Sequence, residues 1–367
     1  MKTTPTSKNR HGLRTPRRFR LCVAVLGVMV AFAPYSASAE PLRVFTTVPD
    51  LAALAREVGG DRVETFSAVA GAEDPHFAEA RPSYIKELSH ADVYIQVGME
   101  LEIGYAENLL RNARNVKVLP GAPGHVVAAE AITPLGVPSG PISRAMGDVH
   151  GAGSPHFLVD PLSGLAVAEL IRDRLATIRP ADAAYFQERA ATFRAEVGKR
   201  LVGETLHAKY DGAKLALLAQ QGRLASFLEQ QSDTAKLGGW LGLLATHSGA
   251  KVVDDHPIWL YFARTFGLGV VAHLEPKPGI QPTTAHLKQV IERMKADDVR
   301  VLLQAAYYDD RHARFVAEAA DASIAKLAHQ VGALPGTASY LEMIDFNVRA
   351  VARALGSART PIGDPTT

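Results

Sequence analysis

Twice along this chain, short apolar runs alternate with helical periodicity, and one long amphipathic stretch separates the two series. That repetition restricts the fold to two α/β lobes joined by a helix. In the first series, residues 42–48, 63–69, 92–98 and 116–120 read as strands. Residues 49–58 and 82–90 read as helices, with Pro82 suited to a first turn. Beyond Asp160-Pro161 the pattern turns helical. Phe186, Ala190, Phe193, Val197 and Leu201 recur at three- and four-residue spacing, and Pro180-Ala181-Asp182 marks the start of that helix. In the second series, residues 213–218, 251–253, 269–274, 299–306 and 323–328 read as strands. Residues 257–266, 283–295, 310–320 and 338–355 read as helices. The expected fold is α/β, with two lobes, each a mostly parallel sheet with flanking helices, bridged by one long helix over a cleft. The boundaries expected are a first lobe at 40–180, a connecting helix at 181–206 and a second lobe at 207–355. A Gly-, Pro- and Thr-rich tail at 356–367 is expected to be disordered. Open sheets of this kind bind ligands beyond the carboxyl ends of their strands.

The first 39 residues read as a targeting segment. Lys2, Lys8, Arg10, Arg14, Arg17, Arg18 and Arg20 form a basic region, residues 21–33 an apolar one, and Ala37-Ser38-Ala39 a small-residue cleavage motif. This is the pattern of a secretory signal peptide, too short to span a membrane. Seven of the 40 basic residues and none of the 38 acidic ones lie there, which leaves the remainder at −5. The apparent basicity therefore argues for neither nucleic acid nor an anionic membrane as partner. The one cysteine, Cys22, lies in the apolar region, so the exported chain is expected to have no disulfide and no lipid-bearing thiol near the cleavage site. A free, soluble, monomeric periplasmic protein is expected, and its roughly 325 residues suit two domains.

Three histidines stand in sharply punctuated contexts: His76 in Gly-Ala-Glu-Asp-Pro-His, His156 in Gly-Ser-Pro-His-Phe-Leu-Val-Asp-Pro, and His256 in Val-Val-Asp-Asp-His-Pro. Two follow a proline and one precedes a proline, each near a predicted strand end or turn. Imidazole is the commonest transition-metal ligand, and three such residues point to one site assembled by the fold. With no thiol available, nitrogen dominates the donor set, which suits Zn²⁺, Cu²⁺ or Ni²⁺ and poorly suits Mg²⁺ or Ca²⁺. His90, His207, His247, His273, His286 and His312 read as structural. His125 and His150 lie in the Gly- and Pro-rich loop 121–155, where a transient metal-recruiting role is open to them. Trp240 and Trp259 read as core, Gly279 as a turn residue, and Glu275 as a brace for a loop or a ligand. No Gly-x-Ser-x-Gly, phosphate-loop or His-Glu-x-x-His pattern occurs.

The residues around His76 (through Leu88-Ser-His-Ala-Asp92-Val), those of Gly147-Asp-Val-His-Gly-Ala-Gly-Ser-Pro-His156-Phe-Leu-Val-Asp-Pro161, and those of Val252-Val-Asp-Asp-His256-Pro-Ile-Trp-Leu-Tyr-Phe-Ala263 form an ordered set. Phe266-Gly-Leu268 and Leu274-Glu-Pro-Lys-Pro-Gly-Ile280 continue it. Together they resemble the periplasmic metal-binding proteins of zinc and manganese ABC importers, the ZnuA/TroA type, over about residues 42–355. The resemblance implies a metal held between the lobes by His76, His156 and His256, and delivery to a membrane permease, with a metallochaperone as an optional further partner. Histidine at the third position is mostly a mark of zinc members, and manganese members tend to have a carboxylate there, so Zn²⁺ is expected and Mn²⁺ is the alternative. The family's fourth ligand, often Asp, follows the last strand, and Leu327-Ala-His-Gln-Val-Gly332 places His329 there, with Glu73 and Asp255 as the other candidates. The family's His-rich loop is essentially missing, and residues 203–239 are longer than a connector requires, as if they formed an extra helical hairpin.

Four protein ligands make a closed site suited to transport, whereas three plus water make a catalytic one. A zinc-dependent hydrolase and an extracellular metal-binding adhesin are therefore the competing functions.

Overall fold

The computed structural model describes residues 40–140, 150–277 and 279–357. The expected signal segment with Cys22, residues 147–149 of the second histidine motif, Pro278 and residues 358–367 lie outside them. The first lobe runs β1 (Leu42–Thr46), α1 (Pro49–Gly59), β2 (Val63–Ser67), α2 (Pro82–Ser89), β3 (Val93–Gln96), α3 (Ala106–Ala113) and β4 (His125–Val127). Two long helices follow, α4 (Pro161–Ile178) and α5 (Ala183–Val202). Next come four short ones: α6 (Glu204–Tyr210), α7 (Gly212–Gln220), α8 (Leu224–Gln230) and α9 (Gly239–Ala245). The second lobe runs β5 (Lys251–Asp254), α10 (Leu260–Phe266), β6 (Gly269–His273), α11 (Thr284–Ala296), β7 (Val301–Ala305), α12 (Asp310–Ala320), β8 (Ser323–Leu327) and α13 (Tyr340–Ser357).

Each lobe is built on a four-stranded parallel sheet, and the strand orders correspond: β2-β1-β3-β4 and β6-β5-β7-β8. Side chains alternate across each sheet, as a period of two requires. On β1, Val44 enters the core shared with α4 and α5, while Phe45 packs on the opposite face with Tyr84, Leu88 and Leu109. On β7, Leu303 and Leu302 divide in the same way. Strands covered on both faces explain the nearly continuous apolar runs.

The 20-residue α5, about 30 Å long, buries Phe186, Ala190, Phe193, Val197 and Leu201, the stripe legible in the sequence. One continuous apolar cluster runs from the first sheet through α1, α4 and α5 to α13 and the second sheet. Polar ties reinforce it. The Tyr340 hydroxyl lies 2.8 and 2.9 Å from the carbonyls of Leu158 and Asp160 and shares its proton between them. The Leu135 N–H donates to the Tyr261 hydroxyl at 3.0 Å. On α1, buried Asp50 accepts the Val331 N–H at 3.3 Å.

Three sequence-based expectations are corrected. Residues 116–120 are not a strand. The Asn115 side chain accepts the Lys117 N–H and turns the chain into a 3₁₀ segment, Val116–Val118, while the fourth strand, β4, lies inside the expected loop. Residues 213–218 are helical. Asp211 caps α7 by accepting the Ala213 N–H, and Ala-Lys-Leu-Ala-Leu-Leu favours helix because it has no β-branched residue. Gly356 and Ser357, assigned to the tail, end α13.

Between α5 and α7 two backbones touch. A Cβ built on Gly198 stands 1.9 Å from the Gly212 carbonyl oxygen, so a methyl group there forces the helices apart. Gly198→Ala is expected to destabilise the protein by about 1–3 kcal/mol, read as a lower denaturant midpoint with an unchanged slope.

Candidate metal centre

The site lies where strands end and loops turn back. After β2, Asp74 opens a short 3₁₀ turn, Pro75–Phe77, by accepting the His76 N–H at 3.0 Å. The same carboxylate oxygen stands 2.8 Å from His76 Nδ1, which leaves Nε2 directed away from it. Burial acts to raise the Asp74 carboxyl, but its contacts with His76 outweigh this and hold it below the usual range.

His256 follows directly on β5. Its Nδ1 stands 2.7 Å from Glu275 Oε2, and the same carboxylate oxygen accepts the Gly279 N–H at 2.9 Å. Glu275 is thus the brace that the sequence suggested. His156 closes the connection into α4. Phe157, Leu158 and Val159 beside it are buried, and Asp160 caps α4 by accepting the Leu162 and Ser163 N–H groups. The His156 Nε2 is buried and has no hydrogen-bond partner.

His76, His156 and His256 come together. One ligand atom from each lies within 4.8 Å of the other two, the one such group of three among the described residues. Their ring centroids stand 5.1, 5.3 and 5.6 Å apart. Tyr308 stacks on His256 at 6.2 Å, so the tyrosine pair after β7 walls the site.

The candidates for a fourth ligand fall elsewhere. His329 follows β8 and is buried, but its Nε2 faces the Glu73 carbonyl at 3.1 Å, and Tyr307 packs edge-on to its ring at 4.4 Å. It stands outside the three-histidine group, and its Nδ1 is buried without a hydrogen-bond partner. Asp255 has both oxygens occupied at 2.8 Å, by the His256 N–H and the Ala305 N–H. Burial and the neighbouring Asp254 push its carboxyl well above the usual range. The Glu73 carboxylate accepts the Ala70 N–H at 3.0 Å and is half exposed beside Arg81.

His150, read from sequence as a recruiting contact at most, stacks on His76 with centroids 5.4 Å apart, and the two Nε2 atoms are 3.3 Å apart. Several other histidines do structural work. His273 pairs with Asp254, His286 Nε2 donates to the His273 carbonyl, and His207 accepts the Gly212 N–H. Reading Asp74 as the partner of His76 was within reach of the sequence, because Asp-Pro-His brings a carboxylate two residues before the imidazole.

Burial and neighbouring imidazoles disfavour the charged forms of His150 and His156, and burial that of His329. His156 is pushed well below its ordinary value, first by burial and then by His76 and His256. His150 and His329 are both lowered to about 4, chiefly by burial.

The family model for the periplasmic zinc-uptake complex component A, ZnuA, matches residues 44–209 and 237–354, so the unmatched interval holds α7 and α8. The manganese ABC transporter substrate-binding lipoprotein PsaA of Streptococcus pneumoniae is 21% identical over 324 residues, covering 87% of this chain and 90% of that protein. The metal ABC transporter substrate-binding lipoprotein FimA of Streptococcus parasanguinis is 23% identical over 343 residues, 91% of this chain and 96% of that one. A crystal structure of ZnuA superposes with a TM-score of 0.62 at 21% identity, covering 87% of this chain and all of that one. The Mn-bound periplasmic metal binding protein from Candidatus Liberibacter asiaticus gives a TM-score of 0.60 at 16% identity, covering 86% and 99%.

A histidine lowered to about 4 when folded and ordinary when unfolded takes up its proton first in the unfolded state. Stability is therefore lost as pH falls from about 6.5 toward 4. Buried Asp50, held up at about 7 chiefly by desolvation, acts in the opposite sense, so a difference measurement is needed. Relative to His329→Gln, the metal-free protein is expected to lose thermal stability progressively between pH 6.5 and 4. A difference in midpoint that stays constant across that window would show that His329 does not carry the effect.

Proposed function

The chain belongs to the zinc-uptake complex component A family, and from that premise we propose that it captures Zn²⁺ in the periplasm and hands it to the permease of an ABC importer. The observation that carries the reading is the convergence of three imidazole nitrogens, with no carboxylate oxygen in the group. Such a donor set favours zinc over manganese on the general affinity order of divalent ions. The charge balance agrees, because one carboxylate stands behind each of two imidazoles, Asp74 behind His76 and Glu275 behind His256. Two negative charges beneath three neutral rings offset one divalent cation.

His76 and His156 belong to the first lobe, proposed as residues 40–180, and His256 to the second, 207–355, with 181–206 between them. The metal then bridges the lobes, and separating the ligands lowers affinity in proportion to the population of the competent arrangement. The family and its relatives are substrate-binding proteins of ABC transporters, and this removes the hydrolase alternative.

PsaA is named for manganese, so the metal is the point to test. In competition titrations of the metal-free protein, Zn²⁺ is expected to bind more tightly than Mn²⁺, and a tighter Mn²⁺ would overturn the zinc assignment. Glu275→Gln keeps the shape of the side chain but removes its charge. It is expected to lower zinc affinity by about 10–100-fold while leaving the circular dichroism spectrum of the metal-free protein unchanged.

A further inference from the structure

We propose that His150 is the fourth metal ligand, supplied by the connection between β4 and α4. The inference rests on the reading that His76, His156 and His256 hold a divalent transition metal. Four nitrogens bound at about 2.0–2.1 Å to a tetrahedral zinc stand about 3.3 Å from one another. The Nε2 atoms of His76 and His150 are already 3.3 Å apart. The ring of His150 stacks on that of His76 and lies edge-on to that of His156, with centroids 5.4 and 6.2 Å apart, so it borders the three-histidine group, which ligation would extend by drawing its nitrogen inside the 4.8 Å spacing the other three already share.

The position is built. The Gly151 N–H donates to Glu100 Oε2 at 2.7 Å, and His150 makes a hydrogen bond to the backbone of Met99. Met99 and Glu100 have φ of +50° and +67°, two consecutive non-glycine residues in the sparsely populated left-handed region. This strained turn after β3 presents both anchors to the segment that carries His150. A backbone hydrogen bond to one ring nitrogen is how metal-ligating histidines are commonly oriented.

Asp255 has both oxygens engaged by backbone N–H groups, and His329 has Nε2 on the Glu73 carbonyl, so that only its buried, unpartnered Nδ1 competes with His150 for the position. A neutral fourth imidazole also leaves the balance between one divalent cation and the Asp74 and Glu275 carboxylates unchanged, whereas a carboxylate ligand would add a negative charge.

The test uses the full chain, stripped of metal and titrated with Zn²⁺, and with Co²⁺ as a spectroscopic probe of coordination number. Wild type is expected to give the intense visible absorption of four-coordinate Co²⁺. His150→Ala is expected to weaken that absorption and to lower zinc affinity at least about tenfold, while His125→Ala, on the preceding strand β4, changes neither. His150→Ala retaining both the wild-type spectrum and wild-type affinity overturns the proposal. So does His329→Ala abolishing the four-coordinate spectrum while His150→Ala keeps it. A wild-type protein that binds neither ion overturns the underlying metal reading, and that outcome is distinct from loss confined to a variant.

Discussion

Two carboxylate–imidazole pairs, Asp74–His76 and Glu275–His256, set the geometry on which the site depends. Each fixes Nδ1 of its ring and so leaves Nε2 as the exposed lone pair or proton. One pair sits beyond a strand of the first sheet and the other beyond strands of the second. The distance between the two Nε2 atoms is therefore a property of how the lobes are held together and not of either lobe alone.

Holding the lobes falls to apolar packing. The shared core carries Phe186, Phe193, Tyr340 and Trp259, and burying one such aromatic side chain contributes about 1.5–3 kcal/mol. A few polar ties fix the register of that packing: Tyr340 to the Leu158 and Asp160 carbonyls, and Asp50 to the Val331 N–H. The Tyr340 contact is only two residues from His156. The packing of the closing helix α13 and the placement of His156 are thus directly linked.

The helices α6 to α8 extend the connector, and the family's matched regions skip most of them. Their attachment depends on backbone contact at Gly198 and Gly212. Of these, α6 and α7 pack on α5, and α8 packs on α7.

Much of this was legible in the chain. Alternating apolar runs and the Phe186–Leu201 stripe determine two parallel α/β lobes and a bridging helix, because local periodicity dictates which faces must be buried. The contexts of His76, His156 and His256 mark three of the converging residues, because proline-bounded turns at strand ends are local features. Short runs were less decisive. Residues 213–218 are equally apolar as strand or helix, and the cap at Asp211 together with packing on α5 made them helical. Which further histidine borders the group was beyond reach of pattern. His329 and His150 both follow plausible loops, and only the folded chain turns one toward the Glu73 carbonyl and sets the other 3.3 Å from His76. Sequence determined which residues are available to a metal. Tertiary structure decided which of them meet, because side-chain direction at a loop is fixed by contacts between segments far apart in the chain.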